Sequence, residues 1–493
     1  MISAHLPALQ VALPLIAAPL MVLVRRGGIA YGMMLAVAWI SLLISLLLAQ
    51  QVADHGPISY HLGSWAPPWG IEYRVDALSA FVLVLVSLAA AAVVPYSRRS
   101  VEAEVSREQH YLFYAMFALC LTGLLGITIT GDAFNIFVFL EVSSLSTYVL
   151  IALGRDRRAL TAAYQYLIMG TIGATFIVIG VGLLYLMTGS LNLVDIAQRL
   201  PDVAERRPVL AALAFLTVGI SLKLALFPLH LWLPNAYTYA PSSISAFLAA
   251  TATKVSVYVL IRFYYSVFGE TLVFKELPVP LVLLALSLAA MFIASFAALY
   301  QENLKRLFAY SSVAQIGYIT LGLSLDSVGG LSAAIVHLFN HALAKGALFM
   351  LLGGIMLRTG GVSLHCVCGL ARRMPLTTFG IVIAGLSLIG VPGTAGFVSK
   401  WALITAALEA GLWWLVLLIV ASSLLAVAYV WRFVEAAYLR APAPEATEKI
   451  EAPWSMLVPA WVLVALSVYL GFDTRFTLGG ATRAAQMLFG AGG

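Results

Sequence analysis

Glu141 and four lysines lie inside apolar stretches of this sequence, where a charge is expensive to keep. Glu141 is the ninth residue of the stretch 133–153 and the only acid near the middle of such a stretch. Each lysine has an apolar stretch of its own: Lys223, Lys254, Lys345 and Lys400. Ionisable residues at mid-bilayer usually mark ion or proton pathways. These five residues are therefore the first candidates for chemistry.

The imbalance between acid and base favours proton transfer. Glu141 can pair with only one or two lysines, so the others must be hydrated, hydrogen-bonded or at times neutral. Desolvation disfavours the charged form of a lysine, and a neighbouring charge alters that preference again. The alternative is that these groups tie helices together as buried ion pairs. One glutamate can do this for one lysine but not for four.

A second set of titratable residues, which we call the histidine stripe, consists of His337, His341 and Lys345. Four residues turn a helix by about 400°, so the three side chains drift by only about 40° per step and share one face. Asn340 lies beside them. Two histidines at this spacing could ligate a metal, but no H-E-x-x-H pattern is present. We expect a hydrated proton wire and no metal.

The elements that hold these residues follow from composition. Of 493 residues, 62% are hydrophobic and 10% are charged, with a mean hydropathy of +0.98; soluble domains carry roughly 25% charged residues. The sequence predicts an all-α polytopic membrane protein without nucleic-acid partners, since its basic residues fall in short loops. We expect about fourteen transmembrane helices, roughly 6–24, 29–50, 75–95, 110–129, 133–153, 162–187, 208–230, 242–266, 279–300, 304–324, 330–357, 375–408, 412–434 and 454–472.

The basic residues predict an orientation. Apart from the four buried lysines, 24 Lys and Arg lie in the loops or near the ends of the spans. Sixteen lie on one side and eight, including Arg74 and Arg262, on the other. The richer side is expected to be cytoplasmic, which places both termini outside. The stretch 1–25 is interpreted as the first span and not as a signal peptide, because its charges follow the apolar run.

Two spans carry helix-breaking residues beside a lysine. "SLKLALFPLHLWLP" (221–234) contains Pro228 and Pro234, and "SLIGVPGTAGFVSKW" (387–401) contains Pro392 and Gly393. In lipid the freed backbone groups must be satisfied by protein or water, so broken helices line cavities. The two breaks lie five spans apart. This predicts two inverted five-helix repeats, spans 4–8 and 9–13, with spans 7 and 12 broken; simple kinks are the alternative.

The same pattern divides the chain into four parts: 1–109 with three spans, 110–268 and 269–436 with one repeat each, and 437–493 with a loop, the last span and a short tail. The linker is expected at Tyr438–Pro453. Three cysteines remain, and Cys366 with Cys368 forms a C-x-C motif in a loop. Without a second pair or suitably placed histidines, structural thiols are favoured over a metal site.

Five long motifs resemble one known family, the antiporter-like subunits of respiratory complex I and of Mrp-type multisubunit cation/proton antiporters. The resemblance runs from about residue 70 to 435. The motifs are "GDAFNIFVFLEVSSLSTYVLI" (131–151), "LKLALFPLHLWLPNAYTYAPSSISAFLAATATKVSVYVLIRF" (222–263), "NLKRLFAYSSVAQIGY" (303–318), "HLFNHALAKGALF" (337–349) and "GVPGTAGFVSKW" (390–401).

The resemblance implies roles for the buried residues. Glu141 pairs with Lys223, and Lys254 links this pair to a central axis that continues through the histidine stripe to Lys400. The chain length and a lysine at 400 look most like the D-type member of Mrp antiporters. The implied activity is Na⁺/H⁺ antiport, not enzyme catalysis, without a cofactor. The implied setting is the bacterial cytoplasmic membrane, in a complex with Mrp A, Mrp C and smaller subunits.

Three other functions are alternatives. A pumping subunit of a complex I-like NADH dehydrogenase or membrane-bound hydrogenase would use the same physics inside this chain. An autonomous solute transporter fits a chain of lysines less well. A membrane enzyme has no support, because no Ser/His/Asp set, metal cluster, or quinone or nucleotide motif stands out. The identity of the cation and its site stay open, because no acid cluster lies within the spans.

Overall fold

The structure, a computed structural model, describes residues 2–441 and 448–490, and this part of the chain is almost entirely helical. The first ten helices are α1 Leu6–Val24, α2 Gly27–His55, α3 Ala77–Glu104, α4 His110–Ile129, α5 Ala133–Ala152, α6 Arg158–Thr188, α7 Leu193–Arg199, α8 Arg207–Leu224, α9 Trp232–Tyr239 and α10 Ser242–Ala250. The next ten are α11 Ala252–Ile261, α12 Val279–Leu299, α13 Leu304–Ser324, α14 Val328–Thr359, α15 Leu370–Arg373, α16 Pro375–Ile389, α17 Ala395–Glu409, α18 Trp413–Val434, α19 Trp454–Phe472 and α20 Thr477–Gly490.

Short helical turns complete the list. The 3₁₀ turns are Ile2–His5, Leu62–Ser64, Arg107–Gln109 and Leu200–Val203, and the π-helical turns are Arg262–Val267, Thr271–Glu276 and Glu435–Leu439. Among the described residues, twelve helices are long and apolar enough to cross a membrane. The two other predicted spans coincide with α13, which is less apolar than these twelve helices, and with the pair of shorter helices α16 and α17. The predicted all-α polytopic fold is confirmed.

One end of the bundle, which we call the hairpin end, carries a small antiparallel ribbon. Its strands are β1 Ile58–His61 and β2 Glu72–Val75. His5 Nδ1 lies 3.0 Å from the hydroxyl of Tyr60, so the N-terminal part of the chain is held at this end. Helix α20 lies here too and packs against α3 and α14. The opposite end, which we call the basic end, carries the loops with Arg155–Arg158.

Helix α14 lies at the centre of the bundle. Its residues from Gly330 to Ile355 are all buried, and it packs against α10, α13, α16, α17, α19 and α20. A helix that is apolar over most of its circumference and buried all round can hold a polar face only if neighbouring helices satisfy it. The histidine stripe therefore lies inside protein and away from lipid.

Two spans are interrupted where the sequence predicted. Helix α8 ends at Leu224, and α9 begins at Trp232, so Pro228 lies within the interruption. Pro234 was interpreted as a second break, but it is the third residue of α9, a position where proline costs no helical hydrogen bond. Helices α16 and α17 are separated by residues 390–394, which include Pro392 and Gly393.

The inverted relation of spans 4–8 and 9–13 stays a prediction, as does the division of the chain into four parts. The predicted linker Tyr438–Pro453 lies partly outside the described residues. Its described portion begins at the end of the π-helical turn Glu435–Leu439 and finishes where α19 begins at Trp454.

Candidate functional site

Lys223 and Glu141 form an ion pair between α8 and α5. The Nζ atom of Lys223 lies 3.2 Å from Oε1 of Glu141 and 2.8 Å from Oγ of Ser144. The lysine side chain is 3% exposed and the glutamate side chain 23% exposed. The base is thus sealed inside the chain, whereas its acid is partly open on the outer face of α5.

The interruption after α8 explains why Lys223 can lie there. Ala225 adopts a left-handed conformation with φ of 60°, which ends the helix one residue after Leu224. The freed carbonyl of Leu222 accepts a hydrogen bond of 2.9 Å from the indole Nε1 of Trp232. Backbone groups at a helix end need such partners, so the break is satisfied by the chain itself.

A small cavity of about 20 Å³ adjoins this ion pair. Lys223, Ser144 and Thr147 line it on one side and Ser256 of α11 on the other. About 10–15 Å³ is enough to hold one water molecule with polar partners. The cavity therefore has the size and polarity for a water between Lys223 and the helix that carries Lys254.

Lys254 lies beside an interruption that the sequence did not predict. Thr251, with φ of −124° and ψ of −57°, separates α10 from α11. Lys254 Nζ donates hydrogen bonds to the carbonyl oxygen of Ala249 and to Oγ1 of Thr253, the latter at 3.3 Å. Neither proline nor glycine marks this break in the sequence. The lysine charge is directed at backbone carbonyl and hydroxyl oxygens and not at a carboxylate.

The two histidines of the stripe have different surroundings. His337 Nδ1 lies 2.8 Å from Oγ of Ser399, and its Nε2 lies 3.0 Å from Oε1 of Gln315. His341 stacks parallel to His337 at 6.0 Å between ring centroids. Neither ring nitrogen of His341 has a hydrogen-bond partner among the described residues. His337 is thus held by two side chains, whereas the position of His341 is set by packing alone.

Lys345 completes the stripe and contacts α13. Its Nζ donates to the carbonyl oxygen of Phe308 at 2.7 Å and to Oγ of Ser311. These hydrogen bonds run to a neighbouring helix and not along α14, and the place of Lys345 in the histidine wire stays a prediction. The Lys345 side chain is long enough to reach the carbonyl oxygen of Phe308 on α13.

Lys400 reaches back across the second interruption. Its Nζ lies 3.0 Å from the carbonyl oxygen of Leu388, 2.9 Å from that of Ile389 and 2.9 Å from Oγ of Ser423. The first two are among the last carbonyls of α16, which carry the partial negative charge of the helix C-terminus. The ammonium also lies 4.5 Å from the ring centre of Tyr318.

The structure brings the predicted residues together in pairs and leaves gaps between the pairs. Glu141 pairs with Lys223. His337 stacks with His341 and is hydrogen-bonded to Ser399, the residue before Lys400. Within residues 2–441 and 448–490, no direct hydrogen bond joins Lys223 to Lys254 or Lys254 to the stripe. A continuous proton path along this axis requires water between the groups.

Sequence reasoning missed the neutral partners of these residues. Each is a hydroxyl or amide that lies close in sequence to a charged group or on a facing helix: Ser144, Gln315, Ser399 and Ser423. The spacing of Ser144, three residues after Glu141, places both on one helix face and was the one usable signal. Gln315 lies in the motif 303–318, but the sequence alone does not show that it faces His337 on α14.

Two of the basic residues counted towards the orientation are buried. Lys305, the second residue of α13, donates a hydrogen bond of 3.0 Å to Oγ of Ser242. Arg262, with an 8% exposed side chain, pairs with Asp76, which is 6% exposed. Burial acts to raise the pKa of Asp76, but the Arg262 guanidinium outweighs it and holds that pKa below its ordinary value of 3.8.

The C-x-C motif lies at the basic end. Cys366 is exposed and its Sγ lies 3.0 Å from Oγ of Ser363, and Sγ of Cys368 lies 3.4 Å from the carbonyl oxygen of Leu364. Within the described ranges, no group of three or more His, Cys, Asp and Glu is arranged to hold a metal ion.

Known proteins match the chain over most of its length. Residues 130–426 match the family model described as "NADH:quinone oxidoreductase/Mrp antiporter, TM". NADH-quinone oxidoreductase subunit N of Desulforudis audaxviator (strain MP104C) is 43% identical over 485 residues, which cover 95% of this chain and 96% of that protein.

Two further matches are to components of Mrp-type antiporters. The D component of the Na(+)/H(+) antiporter of Bacillus subtilis (strain 168) is 28% identical over 481 residues, or 97% of this chain and 96% of that one. The structure also matches a chain of the Mrp complex from Dietzia sp. DQ12-45-1b with a TM-score of 0.90 and 26% identity, covering 99% and 98% of the two chains.

Proposed function

The chain belongs to the family of membrane subunits shared by NADH:quinone oxidoreductases and Mrp antiporters, and on this premise we propose that it carries protons as the D-type subunit of a multisubunit monovalent cation/proton antiporter. The observation that carries the proposal is the ion pair between Glu141 and Lys223 at an interrupted helix. A base held by one acid beside a water-sized cavity is a proton site whose occupancy depends on that acid.

The first step is proton loading at Lys223. A desolvated lysine holds its proton only while an opposite charge stabilises the ammonium. Glu141 supplies that charge at 3.2 Å. When the carboxylate moves away, Lys223 becomes the weaker base and passes its proton towards Lys254, which lies on the helix across the small cavity.

The position of Glu141 indicates what moves it. Phe134, Val138 and Leu145 lie on the same face of α5 and are exposed. A carboxylate in such an apolar stripe is costly in lipid, so the stripe fits against another membrane subunit. We propose that a charged group of this neighbour, a subunit of the Mrp A or Mrp C type, draws Glu141 away from Lys223.

The proton then continues along the central axis. In this scheme water carries the proton from Lys254 to His341 and from His341 to His337. His337 passes it on through the hydroxyl of Ser399, and Lys400 completes the path. Na⁺ moves in the opposite direction with the help of partner subunits. We place the complex in the cytoplasmic membrane of a bacterium, with the hairpin end outside, because the opposite end holds twice as many basic residues.

The test is transport by the assembled complex. Glu141→Ala and Lys223→Ala are expected to abolish antiport while assembly persists, and Glu141→Asp is expected to keep part of it. Glu108→Ala, which changes an exposed carboxylate at the basic end, is the matched control and should transport normally. Full antiport by an assembled Glu141→Ala or Lys223→Ala complex would refute the scheme.

A second candidate function is favoured by one observation. The relative that is 43% identical over 95% of the chain is a subunit of a redox enzyme. The same relay could then be driven by electron transfer in a complex I-like assembly. Copurification separates the two, because an antiporter brings small membrane subunits with it, whereas a redox-driven pump brings iron–sulfur proteins.

A further inference from the structure

A second polar stripe runs along α11 towards the hairpin end. Lys254, Tyr258 and Arg262 follow one another at four-residue spacing, as in the histidine stripe, and therefore share one helix face. All three are buried. The stripe begins at the proposed relay residue Lys254 and leads away from the central axis. The proposed proton path described so far does not use it.

The outer part of this stripe is closed by an ion pair. Arg262 pairs with Asp76, and its Nη2 also donates a hydrogen bond of 2.8 Å to Oγ of Ser79. Its Nε donates a hydrogen bond of 3.0 Å to the hydroxyl of Tyr258. That hydroxyl in turn donates a hydrogen bond of 2.9 Å to the carbonyl oxygen of Thr128. The network links α3, α4 and α11 and is made of buried groups bonded to one another.

A cavity of about 400 Å³ lies on the outer side of this network. Asp76, Tyr258 and Arg262 form part of its lining. Arg74 and Gln198, which also line it, are exposed at the hairpin end. A volume of this size holds several water molecules, since one water occupies about 30 Å³ in the liquid. Water from the hairpin end therefore reaches the ion pair.

The ion pair thus lies between this cavity and the buried stripe that leads to Lys254. Burying a charge pair is no better for stability than packing apolar side chains in its place. A structural link between α3 and α11 would not need a guanidinium between a cavity and a proton-carrying stripe. A permanently charged group in that place repels cations, while protons can pass along hydroxyl, carboxylate and water.

We propose that the Asp76–Arg262 pair is the gate through which protons exchange between Lys254 and the cavity at the hairpin end. The proposal rests on the proton-carrying function proposed above. When Arg262 turns away from Asp76, the freed carboxylate accepts a proton that the Lys254 ammonium has given to an intervening water. The N–H bond of the lysine breaks, an O–H bond forms on Asp76, and the proton then leaves into the cavity.

The first test blocks the cavity in the complete complex. Cys366 and Cys368 are replaced by serine, and Ala197→Cys, on the cavity wall, is labelled from the hairpin side with a membrane-impermeant cationic methanethiosulfonate. Labelling is expected to slow antiport roughly tenfold, because it adds bulk and a positive charge to the pathway. Asp202→Cys, exposed at the same end but outside the cavity lining, is the matched control. Full antiport after complete labelling of Ala197→Cys would overturn the gate.

The second test opens the gate without removing the helix cap. Asp76 also caps α3 by accepting from the backbone nitrogen of Ser79, so the change is made at Arg262 and Asp76 is kept. In Arg262→Gln the carboxylate of Asp76 loses its charge partner and is free to accept a proton, so a pH gradient without transported cation should collapse roughly tenfold faster. A purely structural pair would lower the yield of complex without any added leak, and that result would contradict the proposal.

Different results would contradict the proposed function and the proposed gate. Antiport that persists in an assembled Lys223→Ala complex contradicts the proton relay itself. A relay that depends on Lys223 but shows neither inhibition by the label at Ala197→Cys nor a leak in Arg262→Gln contradicts only the gate.

Discussion

Lys400 donates a hydrogen bond of 3.0 Å to the carbonyl oxygen of Leu388, so a lysine in one half of a broken span closes the end of the other half. Lys254 does the same with Ala249 beside the interruption at Thr251. The excess of lysines over acids inside the membrane thereby has a physical account. Of the four lysines that the structure describes inside the membrane, Lys223 is the one that contacts a carboxylate. The other three donate to carbonyl and hydroxyl oxygens.

This difference separates the two ends of the proposed relay. A carbonyl dipole stabilises an ammonium less than a full negative charge does, and it cannot be drawn away by a neighbouring subunit. Lys400 therefore responds to the local helix geometry, and Lys223 responds to the position of Glu141. We expect the two lysines to fail in different ways when they are changed.

The first prediction concerns Lys400→Met. The change removes the ammonium and leaves the carbonyls of Leu388 and Ile389 without their donor. Antiport is expected to fall by at least about 100-fold, the range for removal of a group that transfers a proton. Transport is measured as cation-dependent pH change in vesicles that contain the assembled complex. Lys449→Met, which changes an exposed lysine, should leave it unchanged, and equal rates for the two variants would contradict the prediction.

The second prediction contrasts the two histidines. His341 has no hydrogen-bond partner for either ring nitrogen among the described residues, so His341→Leu deprives no protein group of a partner and should change stability little. His337→Leu instead leaves Ser399 and Gln315 without a partner and should lower stability by about 1–3 kcal/mol. Both variants should lose antiport. Thermal melting of the purified complex checks the first effect, and a lower melting temperature for His341→Leu than for His337→Leu would argue against it.

The sequence was sufficient to predict the elements that have a local cause. Pro228 and Pro392 mark breaks because proline cannot continue a helix hydrogen-bond ladder. The stripe on α14 follows from helical spacing, and the pairing of Glu141 with Lys223 followed from a family resemblance. The structure places both Pro228 and Pro392 inside interruptions and brings Lys223 within hydrogen-bond distance of Glu141.

The remaining features depend on packing between distant segments. The interruption at Thr251 has no proline or glycine, so no local signal in the sequence marks it. Arg262 was assigned to the exposed flank because it lies at the end of an apolar stretch. Its partner Asp76 lies 186 positions away, and no local pattern could connect them. Sequence reasoning finds charged groups more readily than it finds the neutral groups that hold them.

The third prediction concerns the close approach of α16 and α17. A Cβ atom added to Gly396 would lie 1.7 Å from the carbonyl oxygen of Ser387, which no side-chain rotation can relieve. Gly396→Ala should separate the two half-helices, lower stability by about 1–3 kcal/mol and move Lys400 away from its carbonyl partners. Gly479→Ala, where nothing lies within 4 Å, is the matched control. Yield, melting temperature and antiport of both complexes check this, and normal transport by Gly396→Ala would refute it.

The fourth prediction concerns the pH dependence of stability at Asp326, in the loop between α13 and α14. Burial raises the pKa of Asp326 from 3.8 to about 6, the charge of Glu270 adds to this, and Lys275 opposes it. The folded state therefore binds more protons than the unfolded state between these two values, so this carboxyl makes stability fall as pH rises from about 4 to about 6. Above that window the ionised carboxylate is a constant cost.

Asp326→Asn removes the titration while keeping the shape of the loop. The residue has a φ of 43°, a left-handed conformation that asparagine adopts as readily as aspartate. The variant should melt at the same temperature as the parent near pH 4 and at a higher temperature above pH 6. Asp202→Asn, which changes an exposed aspartate at the same end, should follow the parent at every pH. A melting difference for Asp326→Asn that stays constant from pH 4 to pH 8 would show that Asp326 is not the titrating group.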